Sequence, residues 1–218
     1  MKKKLFSVKE MVLIAMLAAI AYVVMALIRI PVVLFLKYEP KDVIITIGGF
    51  LLGPMAAFLT SFVVSRVEMV TVSDTGPIGA LMNLLSTCSF ACTAAIFYKK
   101  RHTLSGAILG LLLGSMVMVG AMILWNWLIT PLYMGVARSV VEGMLLTAFL
   151  PFNLLKAGLN SALVLVLYKP LVTALRKANL APSQMQSTSK GNKTGVLILG
   201  LVLLATCILL LLVFQGKI

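Results

Sequence analysis

Acidic residues are scarce: 6 Asp and Glu stand against 19 Lys and Arg in 218 residues. Histidine occurs once and cysteine three times. No Walker A sequence is present, so the chain has no P-loop of its own for ATP hydrolysis. His102 sits in a basic cluster, which argues against histidine-based protease or metal chemistry. Cys88 and Cys92 lie one helical turn apart in one apolar run, and Cys207 lies in another. With no histidine or carboxylate near them in sequence, all three read as small buried hydrophobes rather than metal ligands or disulfide partners. The acids fall almost entirely in loops or at expected helix ends, with no pair expected in mid-membrane. A carboxylate proton relay is therefore unsupported. Charged residues make up only 11% of the chain, against about a quarter in soluble domains. That excludes an ordinary soluble domain, whose surface needs more polar side chains.

What is present is apolar: 61% by hydrophobic count, in runs long enough to cross a bilayer. The pattern predicts an all-α membrane protein, because the runs are too long and uniform for barrel strands. Seven segments can be drawn: 8–28, 42–52, 55–70, 77–98, 104–129, 151–171 and 196–214. The N-terminal lysines Lys2, Lys3 and Lys4 imitate a signal peptide. The apolar stretch behind them runs on too far, and is expected to be a retained first helix. The second segment is too short to cross alone. Residues 178–194 (Pro, Ser, Gln, Asn and Lys) read as a flexible linker. The expected organisation is thus a membrane domain over 1–177, a cytoplasmic linker over 178–194 and an extra transmembrane helix over 195–218, the last read as a lipid-facing anchor.

The net charge of +13 would suggest nucleic acid in a soluble protein. Here the basic residues sit in short clusters between apolar runs, and orientation explains them better, with no nucleic acid partner. Lys99, Lys100 and Arg101 join the N-terminal lysines and Lys169, Arg176 and Lys177 on one side. The expectation is a multi-pass protein of the cell membrane with a cytoplasmic N-terminus.

Polar residues inside the spans carry the functional information, because each is unfavourable unless satisfied. Asn153, Lys156 and Asn160 share one face of the sixth segment. If that helix starts at Pro151, its positive end and the Lys156 ammonium point into the same outer-leaflet space, suited to a ligand with acceptor groups. The alternative is a lysine snorkelling outward or paired with a carboxylate. Asn126 sits between Trp125 and Trp127. Its amide offers donor and acceptor side by side, as a cyclic imide edge requires, but an interhelical hydrogen bond explains it equally. Asn83 reads as structural. In the first outer loop, Phe35, Leu36 and Tyr38 are placed to cover a flat ligand, and Lys37, Glu39 or Asp42 to meet hydroxyls; an interfacial loop is the alternative. Met82 is one of several methionines suited to packing around a ring. Ala15 and Ala19 form a small-xxx-small pair that lets another helix approach the first one.

Four stretches together resemble a known family: residues 35–42 (FLKYEPKD), 49–54 (GFLLGP), 75–83 (TGPIGALMN) and, most specifically, 150–158 (LPFNLLKAG). They are similar to the riboflavin-binding S component of energy-coupling factor (ECF) transporters, over roughly residues 6–177. The resemblance implies a six-helix substrate-capture bundle, with the seventh segment as an addition. It implies a vitamin site near the outer face, and partnership with a transmembrane T component and two ATPases. Residue by residue, it implies that Asn126, Asn153 and Lys156 hydrogen-bond the isoalloxazine, that Leu36, Tyr38 and Glu39 cover it, and that Ala15 and Ala19 dock the T component. Riboflavin would be the transported ligand rather than a cofactor, and the chain would not be an enzyme. Other readings stay open: another vitamin, FMN or FAD as ligand, or a membrane assembly protein without a transported ligand.

Overall fold

The computed structural model describes residues 6–72, 75–178 and 193–217. Lys2, Lys3, Lys4, Asp74 and most of the expected linker lie outside the described residues. Helix α1 (Val8–Leu27) opens on a capping box: the Ser7 backbone N–H donates to Glu10 Oε2 at 2.7 Å, and the Glu10 N–H donates to Ser7 Oγ at 3.3 Å. The chain then forms a short antiparallel hairpin, β1 (Ile30–Val33) and β2 (Leu36–Tyr38), where an irregular loop was expected. Helix α2 (Lys41–Leu52) and helix α3 (Pro54–Thr71) meet at Gly53, whose φ of +96° suits glycine, with Pro54 at the first helical position.

Helices α4 (Gly76–Lys100) and α5 (Leu104–Leu128) form a long antiparallel pair. Small residues set their spacing. A Cβ on Gly110 would lie 2.7 Å from the Ala94 carbonyl oxygen, and one on Gly114 2.6 Å from that of Phe90. Two short helices follow, α6 (Thr130–Met134) and α7 (Arg138–Met144). The chain passes from α7 through a π-helical turn, Leu145–Phe149, straight into α8 (Leu150–Lys177). The helix expected to start at Pro151 therefore has no free N-terminus there, and the expected positive helix end at the ligand space is absent. Proline lacks an N–H and crowds the carbonyl four residues back. A wider turn upstream relieves both problems.

Five described helices are long and apolar enough to cross a membrane, with 138–175 taken as one stretch. Helix α2, at 12 residues, spans only about 18 Å. Its residues 45–51 are all buried, so it lines the bundle interior rather than lipid. Large apolar side chains elsewhere face outward, among them Met116 at 64% and Leu112 at 57% exposure. This is a membrane protein, all-α apart from the hairpin.

Helix α9 (Lys193–Phe214) is not the free anchor expected of it. It lies antiparallel along α8, where a Cβ on Gly158 would come 2.7 Å from Cys207 Sγ and one on Gly200 3.0 Å from Val166. Cys207 and Leu211 belong to a core cluster with Val32, Leu36, Phe149 and Phe152. The Gln215 side chain donates to the Pro31 carbonyl at 2.9 Å. The extra helix thus backs both α8 and the hairpin.

Candidate functional site

A cavity of about 280 Å³ lies beneath the hairpin, between α3, α4, α5, α6 and α8, with Arg29 from the segment after α1. Its walls bring together Leu36 and Glu39 from the hairpin region, Asn126 from α5, and Asn153 and Lys156 from α8. Residues 90 positions apart in sequence meet because α5 and α8 pack side by side with the hairpin across their ends. Phe35 also lines the cavity and meets the Tyr133 ring edge-to-face at 5.3 Å.

Tyr38 is the exception among the expected contacts. It is not a lining residue; its ring is 4% exposed and its hydroxyl donates to Asn160 Oδ1 at 3.1 Å. Burial, with the Asp42 carboxylate adding to it, pushes that hydroxyl above its ordinary pKa, so it remains a donor. Tyr38 anchors the hairpin instead of covering the cavity. Asp42 likewise does not meet the space, being fully buried within α2.

Lys156 does not snorkel. Its ammonium pairs with Asp42 Oδ2 at 3.1 Å and donates to Ser86 Oγ at 3.1 Å. An ammonium has three N–H donors, so one remains beyond these two partners at a side chain that lines the cavity. Asn126 and Asn153 each donate one N–H to the carbonyl four residues back, Met122 and Phe149, both at 2.7 Å. The second N–H of each amide is not used by that bond. Asn126 Oδ1 also accepts from Thr130 at 2.9 Å, which holds the amide plane. Both amides sit 2% exposed or less. Trp127 donates its indole N–H to Glu142 Oε1 at 3.0 Å.

The charges around the cavity depart most from the sequence expectation. Glu39, Asp42 and Glu68 are all buried, although no buried cluster of acids was expected. Glu39 accepts from Arg29 at 2.9 Å and from Lys41 at 2.6 Å. Lys41 also pairs with Glu68, and Arg29 lies 3.5 Å from it. Asn83 donates to Glu68 at 2.7 Å, and so is structural as expected while also lining the cavity. Burial alone would raise the Glu39 carboxyl, but the Lys41 ammonium, with Lys156 and Arg29, holds it below its ordinary range. Three buried carboxylates thus meet three cations, and the paired shell carries no net charge. Lys37, half-buried, adds a further cation at the cavity wall, and the amide and ammonium donors suit a molecule with carbonyl and amide edges.

Phe152, from the 150–158 motif, and Lys37 line the cavity as well, together with Arg29, Glu68, Ser86, Met122 and Tyr133. Glu68 carried a visible signal, as an acid inside an apolar helix. Arg29 sits at the end of an apolar run, where a basic residue is ordinary. Met82 lines the cavity as well.

Known proteins share this architecture. The model of the family described as ECF transporter, substrate-specific component, matches residues 9–168. The riboflavin transporter RibU of Staphylococcus aureus (strain TCH60) is 26% identical over 179 residues, covering 78% of this chain and 93% of that protein. The riboflavin transporter FmnP of Bacillus subtilis (strain 168) is 26% identical over 188 residues, covering 79% and 98%. RibU of Lactococcus lactis subsp. cremoris (strain MG1363) is 30% identical over 172 residues, covering 74% and 83%. A solved structure of the S component of a bacterial ECF transporter superposes with a TM-score of 0.66 at 27% identity, covering 77% of this chain and 98% of that one. The family match ends at 168, so α9 lies beyond it. This chain belongs to the family of substrate-specific components of ECF transporters.

Proposed function

We propose that this protein captures riboflavin in the cavity under the hairpin, as the transported ligand of an ECF-type importer. The observation that carries the reading is the convergence of Asn126, Asn153 and Lys156 on one cavity whose buried charges cancel. Riboflavin is flat and uncharged at neutral pH, and its imide edge matches amide and ammonium donors. Leu36 and Phe35 cover the ring, and Glu39 meets a hydroxyl. The cavity of about 280 Å³ is at the small end of ligand sites, about 300 to 1,000 Å³. That favours riboflavin over a dinucleotide such as FAD.

The basic clusters support orientation. The Tyr98 and Tyr168 hydroxyls lie 2.8 Å apart, which brings Lys99, Lys100 and Lys169 to one end of the bundle. The cavity lies toward the other. By the excess of basic residues on the inner side, the N-terminus is cytoplasmic and the cavity is near the outer face. Delivery falls to a T component and two ATPases, as the family resemblance implies, and the chain has no P-loop of its own. Ala15 and Ala19 are exposed on α1, along an open apolar groove shared with Leu59 and Val63 of α3. This is the docking face for the T component.

Titration of the purified protein with riboflavin tests the reading. Flavin fluorescence is expected to be quenched at one equivalent, and Lys156→Met is expected to weaken binding about 10- to 100-fold, as loss of a buried hydrogen bond to a charged group implies. Failure of the wild type to bind riboflavin sinks the assignment.

A further inference from the structure

The carboxylate of Asp42 serves three side chains at once. Its Oδ1 accepts from Thr87 of α4 at 2.6 Å. Its Oδ2 accepts from Asn160 at 3.2 Å and pairs with Lys156 at 3.1 Å, both on α8. Asp42 itself is on α2 and is 0% exposed. One buried carboxylate therefore ties α2, α4 and α8 together, and Asn160 carries the chain of bonds on to Tyr38 in the hairpin at 3.1 Å. A buried ion pair is weak evidence for stability, since well-packed apolar residues often do as well. This pair has one further geometric property: only its lysine lines the cavity. A lysine side chain has many rotamers, and ordering them when a ligand arrives opposes binding. A fixed counter-charge behind the ammonium removes that opposition.

We propose that Asp42 is a positioning residue: it never touches the ligand, but it holds the Lys156 ammonium at the cavity wall. The inference rests on the riboflavin reading of the cavity. It predicts that Asp42 acts on the ligand through Lys156 and by no other route.

A double-mutant cycle on the full chain in detergent, titrated with riboflavin, tests this. Asp42→Asn and Lys156→Met are each expected to weaken binding about 10- to 100-fold. The double variant is expected to bind within about twofold of Lys156→Met alone. The visible band of bound flavin is expected to shift the same way in both single variants, because both alter the same ammonium. A structural role for Asp42 instead makes the two losses multiply and leaves the Asp42→Asn band at its wild-type position; either result overturns the proposal. Should Asp42→Asn not fold, Thr87→Val removes only the Oδ1 bond, and its smaller loss is expected to vanish in the Lys156→Met background. Persistence of that loss overturns the proposal. A wild type that ignores riboflavin, or a Lys156→Met that binds like wild type, defeats the reading of the cavity together with the inference. Loss in Lys156→Met alone, with Asp42→Asn at wild-type affinity, defeats the inference only.

Discussion

Lys41 is 1% exposed and pairs with both Glu39 and Glu68. Breaking a buried ion pair by removing one partner typically costs about 3 to 5 kcal/mol, because the other charge is left uncompensated. Lys41→Met leaves Glu39 and Glu68 with Arg29 as the nearest cation. It is expected to lower the thermal midpoint in detergent far more than Lys9→Met at the exposed start of α1. A midpoint equal to wild type would show the pair to be dispensable. Glu39 gives a pH test at the same scale. Its carboxyl is held below the ordinary range in the folded protein, so the unfolded chain takes up its proton first as pH falls. The stabilisation is complete above the unfolded value near 4.3 and is lost as pH drops through the folded value. Between about pH 6 and about pH 3 the wild type is expected to lose more thermal stability than Glu39→Gln. Equal losses would assign acid sensitivity to other groups.

At the scale of elements, α9 decides how closely the extra helix belongs to the bundle. Cys207 is 5% exposed because α9 lies on Gly158 of α8. Gly200→Leu places a side chain where even a Cβ is 3.0 Å from Val166 and 3.5 Å from the Ala162 carbonyl. It is expected to separate the two helices, so that a thiol reagent labels Cys207 faster in a background lacking Cys88 and Cys92. Riboflavin binding is expected to change little, since no α9 residue lines the cavity. Unchanged labelling would mean that α8 and α9 absorb the bulk by sliding. The π-helical turn before α8 is a second element-scale feature. Asn153 donates to the Phe149 carbonyl at its end, so the turn that accommodates Pro151 also sets one amide of the site.

For the whole molecule, the surface is as informative as the cavity. Ala15 and Ala19 face outward while Ala18 between them is buried. Ala15→Trp with Ala19→Trp fills the groove of α1 and α3 without touching the cavity. The pair is expected to leave riboflavin affinity intact and to abolish assembly with a T component and ATPases, read by co-purification. Loss of riboflavin binding together with assembly would show that the substitutions damage the bundle itself.

Membrane class, helical state and the candidate polar residues were legible in the chain, because hydrophobic run length and intramembrane polarity are local properties. The motif around 150–158 pointed to Asn153 and Lys156, and both line the cavity. The buried carboxylates were not legible. Glu39 and Asp42 look like loop acids in sequence, and nothing local says that the hairpin folds over and that α2 enters the interior. Tyr38 was misplaced for the same reason: an aromatic residue in a covering loop can face the ligand or the wall, and only its bond to Asn160 decides. The start of α8 was misjudged because proline commonly opens helices, and a π-helical turn leaves no mark in composition.

Sequence alone therefore determined that this chain lives in a bilayer, with a few amides and one lysine available within its apolar spans. Tertiary structure decided which charges neutralise one another, which way Tyr38 and Lys156 turn, and that α9 joins the bundle. The division has one physical cause. Hydrophobicity acts along the chain and can be summed from its letters, whereas a buried charge is tolerated only by partners that folding brings from distant helices.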